Sequence, residues 1–115
     1  MDIENMTNDE IWQAIKTKAE EHPEYIENLD AVYGVKLTKE AEASYRIAVK
    51  DGKMDIQSKE ADDADCTLIL SFKNFKKLLQ GNLNTTTAFM TGKLKVKGNV
   101  GLALKLEQTL KQFSF

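Results

Sequence analysis

The residues able to do chemistry are few, and their spacing argues against a catalytic centre. The single histidine, His22, stands immediately before Pro23, while a nucleophile–base–acid triad needs a base held beside its partners. A histidine at a helix-ending turn reads as a surface loop residue. The single cysteine, Cys66, opens the apolar run Cys66-Thr67-Leu68-Ile69-Leu70, where burial raises a thiol pKa and makes the group inert, so packing is its expected role. One cysteine and one histidine cannot supply the four ligands of a structural zinc site. The acidic run Asp62-Asp63-Ala64-Asp65 lacks the central glycine and closing glutamate of a calcium loop, and reads as a solvated linker. Gly92, Gly98 and Gly101 do not follow the spacing of a phosphate loop or a dinucleotide fingerprint, and read as turns and close contacts. The row Lys93, Lys95, Lys97 has a solvated strand face as its plain reading and contact with an anionic headgroup or membrane surface as its sharper one. No catalytic residue, metal site or cofactor is therefore assigned.

The elements that carry these residues are those of one globular domain over 1–115. Hydrophobic residues make up 42% of the chain and charged residues 30%, with one proline, a balance that supports a packed core rather than disorder. The net charge of -2 gives no global field to hold nucleic acid, which is not an expected partner. No apolar run approaches the roughly 20 residues of a membrane span or the core of a secretory signal, and a lone cysteine suits a reducing cytoplasm.

Thr7 and Glu10 form a capping box for a helix from Asn8 to about Glu21, with Met6 positioned to staple onto Ile11. Trp12 and Ile15 fall on its apolar side, and Pro23 ends it, with one further helical turn possible over 24–29. The periodicity then changes to two. Tyr33, Val35 and Leu37 form one strand face, and Tyr45, Ile47 and Val49 a second, after a charged turn at 39–42. Asp51-Gly52 makes a hairpin to Met54 and Ile56. The run from Cys66 to Leu70 reads as a central strand buried on both faces. Ser71 caps a short helix with Phe72, Phe75, Leu78 and Leu79 inward, and Asn84 caps another over residues 85–90. A fifth strand covers 93–97, Gly98 and Asn99 turn the chain, and a last helix places Leu102, Ala103, Leu106, Leu110 and Phe113 on one stripe, with Leu104 outside it.

The segment Ala88-Phe89-Met90-Thr91-Gly92-Lys93-Leu94-Lys95-Val96-Lys97-Gly98-Asn99-Val100-Gly101-Leu102-Ala103-Leu104-Lys105-Leu106, with Ala64-Asp65-Cys66-Thr67 before it, closely resembles the sterol carrier protein type 2 domain. The resemblance implies an α+β fold, a five-stranded mixed sheet covered on one face by helices, with a hydrophobic tunnel between sheet and helices. It implies non-enzymatic binding and transfer of one fatty acid, fatty acyl-CoA or sterol-like ligand. Phe75, Leu79, Phe89, Met90, Leu94, Val96, Leu102 and Leu106 match apolar positions of the family pattern and are expected to line the tunnel, and Trp12 and Ile15 join them on helix periodicity. Expected partners are the lipid, a transient membrane contact and at most a weak homodimer. The alternative is an interaction or dimerisation module of an acyl-lipid enzyme system. The chain ends Gln112-Phe113-Ser114-Phe115 rather than in the Ser-Lys-Leu type of tripeptide found on many eukaryotic relatives, so peroxisomal delivery by that signal is not expected.

Overall fold

The computed structural model describes residues 2–40 and 42–115; Met1 and Ala41, the latter inside the expected charged turn, lie outside the described residues. Helix α1 (Asn8–Glu21) begins at the expected capping box: the Glu10 N–H donates to Thr7 Oγ1 at 3.2 Å and the Thr7 N–H to Glu10 Oε1 at 2.9 Å. Two of the helix's four orphan donors are thereby satisfied. Pro23 opens a single 3₁₀ turn, Pro23–Tyr25, in place of the longer helical turn expected there. A fixed φ and a missing N–H suit the first position of a turn and stop α1 from continuing.

Strands β1 (Ala31–Thr38), β2 (Ala43–Lys50), β3 (Lys53–Gln57), β4 (Cys66–Ser71) and β5 (Leu94–Gly98) form one sheet in the order β3-β2-β1-β4-β5. Only β1 and β4 run parallel, so the sheet is mixed and β1 is its middle strand. Asp51 and Gly52 both take positive φ, 53° and 73°, which is what a two-residue hairpin between β2 and β3 requires. Gly98 is needed for a different reason. At φ 90° it lies so close to the chain entering β4 that a Cβ there would stand 2.4 Å from the carbonyl oxygen of Asp65, and that same oxygen accepts the N–H of Asn99 at 3.0 Å.

The expectation that β4 is buried on both faces is corrected. Cys66, Leu68 and Leu70 are buried, but Thr67 and Ile69 on the other face are only half-buried. Helices α1, α2 (Phe72–Leu79), α3 (Thr85–Met90) and α4 (Val100–Phe113) cover one face of the sheet, leaving the opposite face to the loop of residues 59–65. That loop is more than a solvated linker. Arg46 on β2 grips Asp63 with two hydrogen bonds, Nε to Oδ1 at 2.9 Å and Nη2 to Oδ2 at 2.7 Å, and the guanidinium holds the Asp63 carboxyl down to about 2. Asp65 pairs in both directions with Val32 at the start of β1, backbone N–H to O at 2.8 Å and side-chain Oδ2 from N–H at 2.8 Å. The acidic run thus ties the crossover to the sheet.

Each of the three longer helix starts downstream is capped as well: Ser71 accepts from the Asn74 N–H, Asn84 from Thr87 and Asn99 from Leu102. Asn99, expected only to turn the chain, is therefore the N-cap of α4. Leu104 lies outside the inward stripe, as expected, and is 38% exposed.

Candidate functional site

The centre of the helix-covered face is built on Trp12. Its indole N–H donates to Asn8 Oδ1 one turn earlier at 3.0 Å, and the Asn8 amide in turn donates to the hydroxyl of Tyr45. The indole ring lies between Tyr45, with centroids 4.3 Å apart, and Phe75, at 5.2 Å. Stacking of this kind fixes α1 against β2 and α2 by more than area burial alone.

Beside this stack, beneath α1, α2 and α4, runs a narrow cavity whose wall is apolar throughout. Trp12 and Ile15 come from α1, Phe75, Leu78 and Leu79 from α2, and Leu106 and Leu110 from α4. Tyr33, Val35, Ile47, Met54 and Leu68 form the floor. Its volume is about 30 Å³, room for about two water molecules against the several hundred Å³ of an ordinary small-molecule site. The cavity is closed down to a seam rather than open as a tunnel.

The polar groups around it are turned outward or neutral. Tyr33 donates its hydroxyl to the carbonyl oxygen of Leu102 at 2.9 Å, which links the floor to α4, and burial pushes its phenol pKa well up. Cys66 is fully buried, and burial, with the Asp65 carboxylate adding to it, pushes the thiol up to about 11. His22 stands outside the cavity, 3.0 Å from Glu24 and stacked on Tyr25 at 4.6 Å. Among the described residues no cluster of three or more His, Cys, Asp or Glu could hold a metal ion, and no helix is long and apolar enough to cross a membrane.

Residues 12–111 match the SCP-2 sterol transfer family. The chain belongs to that family. Human sterol carrier protein 2 is 33% identical over 84% of this chain and 18% of its own length. Hydroxysteroid dehydrogenase-like protein 2 of Xenopus tropicalis is 35% identical over 91% of this chain and 25% of its own. The chain therefore spans a quarter or less of these two relatives. Among solved structures, apo sterol carrier protein 2 from Yarrowia lipolytica superposes with a TM-score of 0.71 at 32% identity, covering 90% of this chain and 89% of that one. The α+β architecture expected from the sequence is that of the SCP-2 sterol transfer family.

Five of the ten expected lining residues meet at the cavity wall: Trp12, Ile15, Phe75, Leu79 and Leu106. Leu94 is buried without reaching the cavity, and Val96 and Leu102 are half-buried and likewise outside its wall. Phe89 and Met90 stand on α3 with 45% and 79% of their surface exposed. The floor residues of the sheet were not singled out, although each lies on a strand face recognised as inward. What was missing was register: Tyr33 pairs with Ile47, and Val35 with Leu68, so that four inward side chains gather under the helices.

Proposed function

We propose that this domain is a lipid carrier that holds one fatty acid, fatty acyl-CoA or sterol-like molecule beneath its helices and performs no chemistry on it. The observation that carries this reading is the wholly apolar cavity under α1, α2 and α4 in a chain of the SCP-2 sterol transfer family. The human relative is named a sterol carrier, which supports an apolar cargo. Absence of chemistry is supported by the wall itself, where no nucleophile or base faces the space a ligand would take. A reducing, cytoplasmic setting belongs to the same reading.

A seam of about 30 Å³ must widen to admit a long acyl chain, and α4 is the element placed to move. Its carboxyl end is anchored: Phe113 is fully buried, Lys18 donates to the Phe113 carbonyl, and the Phe113 ring lies 5.5 Å from Tyr25. Its amino half is held more loosely, by the Tyr33 hydroxyl on the Leu102 carbonyl and the buried Ala103, while Leu102 and Leu106 are half-buried and Val100 and Leu104 exposed. Displacing that half by a ligand replaces protein contacts with ligand contacts. Burial at about 0.8 kcal/mol per methylene gives on the order of 11 kcal/mol for a long chain, and association and ordering return an estimated 4–15 kcal/mol of it. At the low end of that cost about 7 kcal/mol remains, which corresponds to micromolar affinity and suits pick-up and release.

The smallness of the cavity favours one second reading, an interaction or dimerisation module without a ligand of its own. Native mass spectrometry of the purified chain, with solvent extraction of any bound lipid, separates the two. One fatty acid, acyl-CoA or sterol per chain, lost in a folded Leu106→Asp variant, supports the carrier. A ligand-free mass together with failure to take up a fluorescent fatty acid, and a dimer whose population rises with concentration, supports the module.

A further inference from the structure

The net charge of -2 conceals a division of the chain. Residues 1–65 carry eight basic and seventeen acidic side chains, net -9, whereas residues 66–115 carry eight lysines and one glutamate, net +7. The second half supplies β4, β5, α2, α3 and α4, with β5 at the open edge of the sheet, and acids of the first half approach that edge at Lys97, which shares a surface recess with Glu60 and Asp62. The one acid of that half, Glu107, is engaged: its carboxylate accepts the Thr85 N–H at the start of α3. Lys93, Lys95, Lys97 and Lys105 are exposed, and none has an ion-pair partner among the described residues.

The same edge carries the four large apolar side chains that, among the described residues, stand most open to water. They are Phe89 at 45% and Met90 at 79% on α3, and Val100 at 43% and Leu104 at 38% on α4. Val100, Leu104 and Glu107 recur at helical spacing, and Glu107 reaches α3, so their stripe faces α3 and the β5 edge. Alternation along β5 sends Leu94 and Val96 toward the helices and Lys93, Lys95 and Lys97 to the other side. Seen along the edge, a row of ammonium groups on long flexible stems borders a cluster of exposed apolar side chains. Lysines that reach phosphates beside apolar groups that sink below them match the layering of a lipid surface.

We propose that the α3–β5–α4 edge is a docking surface for an anionic lipid bilayer, with Phe89, Met90, Val100 and Leu104 entering the acyl boundary and Lys93, Lys95, Lys97 and Lys105 held at the phosphates. The surface goes beyond the carrier reading and stands on charge and exposure rather than on the cavity. It also bears on that reading, since α4 is both the docking helix and the helix that must yield to cargo.

The test is co-sedimentation of the full chain with vesicles of equimolar phosphatidylcholine and phosphatidylserine, against vesicles of phosphatidylcholine alone. Binding to the mixed vesicles only, reversed by salt, is expected. Neutralising Lys93, Lys95 and Lys97 together to Gln lowers the partition coefficient about 100-fold, at about fivefold per lysine. The pair Met90→Gln and Leu104→Gln lowers it about tenfold. Both variants keep the wild-type unfolding midpoint and load palmitate as before, which separates failure of the surface from failure of the cavity. Equal binding to both vesicle types, no binding to either, or an unchanged partition in the lysine variant overturns the proposal. So does sedimentation velocity showing that the positive edge pairs with the acidic half of a second copy.

Discussion

The two ends of α4 behave as different structures although they belong to one continuous helix. At the carboxyl end Phe113 is fully buried between Tyr25 and Phe115, and Lys18 from α1 donates to the Phe113 carbonyl and lies over the Phe115 ring at 5.4 Å. At the amino end Val100 and Leu104 face water, Leu102 and Leu106 are half-buried, and only the small Ala103 is fully buried. Helix propensity does not set the carboxyl end apart, because the amino half has three leucines against one but also carries Gly101. What differs is the neighbour: the carboxyl end packs on Tyr25 and Phe115 and sends Leu110 into the cavity wall, whereas the amino end lies beside the one-turn-and-a-half helix α3 and reaches the cavity only at Leu106. One end of α4 is locked into the core while the other is packed more loosely.

The largest effect should come from breaking the anchored end. Phe113→Ala removes a fully buried ring and should cost about 3–5 kcal/mol, read as a lowered urea midpoint with an unchanged slope. An equally large loss on truncating Leu104 to Ala would erase the distinction between the ends.

Alkaline pH tests the strand beneath α4. Cys66 has its folded pKa pushed up to about 11, above the unfolded thiol value of about 8.5, so the fold favours the neutral thiol. That contribution is fully present below about 8.5 and is lost as pH rises toward about 11, and Tyr33, raised by the same burial, adds in the same direction. Thermal melts followed across this window should fall in stability, and Cys66→Ala should flatten the fall without removing it. Alkylation of Cys66 at neutral pH should proceed only as fast as the chain unfolds.

Much of this arrangement was legible in the sequence wherever a local rule and the tertiary context agree. The capping box at Thr7 and Glu10, the Asp51-Gly52 hairpin and the inward faces of β1 and β2 all rest on short-range stereochemistry, and each is found where expected. The second face of β4 was misjudged, because an unbroken apolar run is equally compatible with a strand whose far side meets only a loop. Asn99 was legible as a cap, standing directly before a periodic apolar run, but its neighbour Gly98 drew the reading toward a turn. Phe89 and Met90 were out of reach for a physical reason. A six-residue helix buries only Thr85 and Ala88, and periodicity over so few residues does not decide which side faces the core. The cavity wall depended on strand register, which pairs residues far apart in sequence.

A smaller effect is expected at the link between the floor and the free end of α4. Tyr33→Phe deletes the hydroxyl that reaches the Leu102 carbonyl at 2.9 Å while keeping the ring. The loss should be about 0.5–1.5 kcal/mol, because the helical carbonyl keeps its own backbone partner. Stopped-flow uptake of a fluorescent fatty acid should quicken in the same variant, since the hydroxyl restrains the part of α4 that must shift. Slower uptake would place the moving element elsewhere, with α2 the next candidate.

The smallest effect belongs to Met90, and its smallness is what makes it informative. With 79% of its surface exposed, the side chain buries little on folding, so Met90→Gln should leave stability within about 0.5 kcal/mol of wild type. A residue retained for the core would show a cost on truncation in proportion to the area it hides, and Met90 hides almost none. If the denaturation midpoint is unmoved while affinity for anionic vesicles drops, the open flank is set apart from the anchored end by function as well as by packing. If the midpoint falls by more than about 1 kcal/mol, Met90 packs in solution against the chain, and the flank is a continuation of the core rather than a surface held ready for a partner.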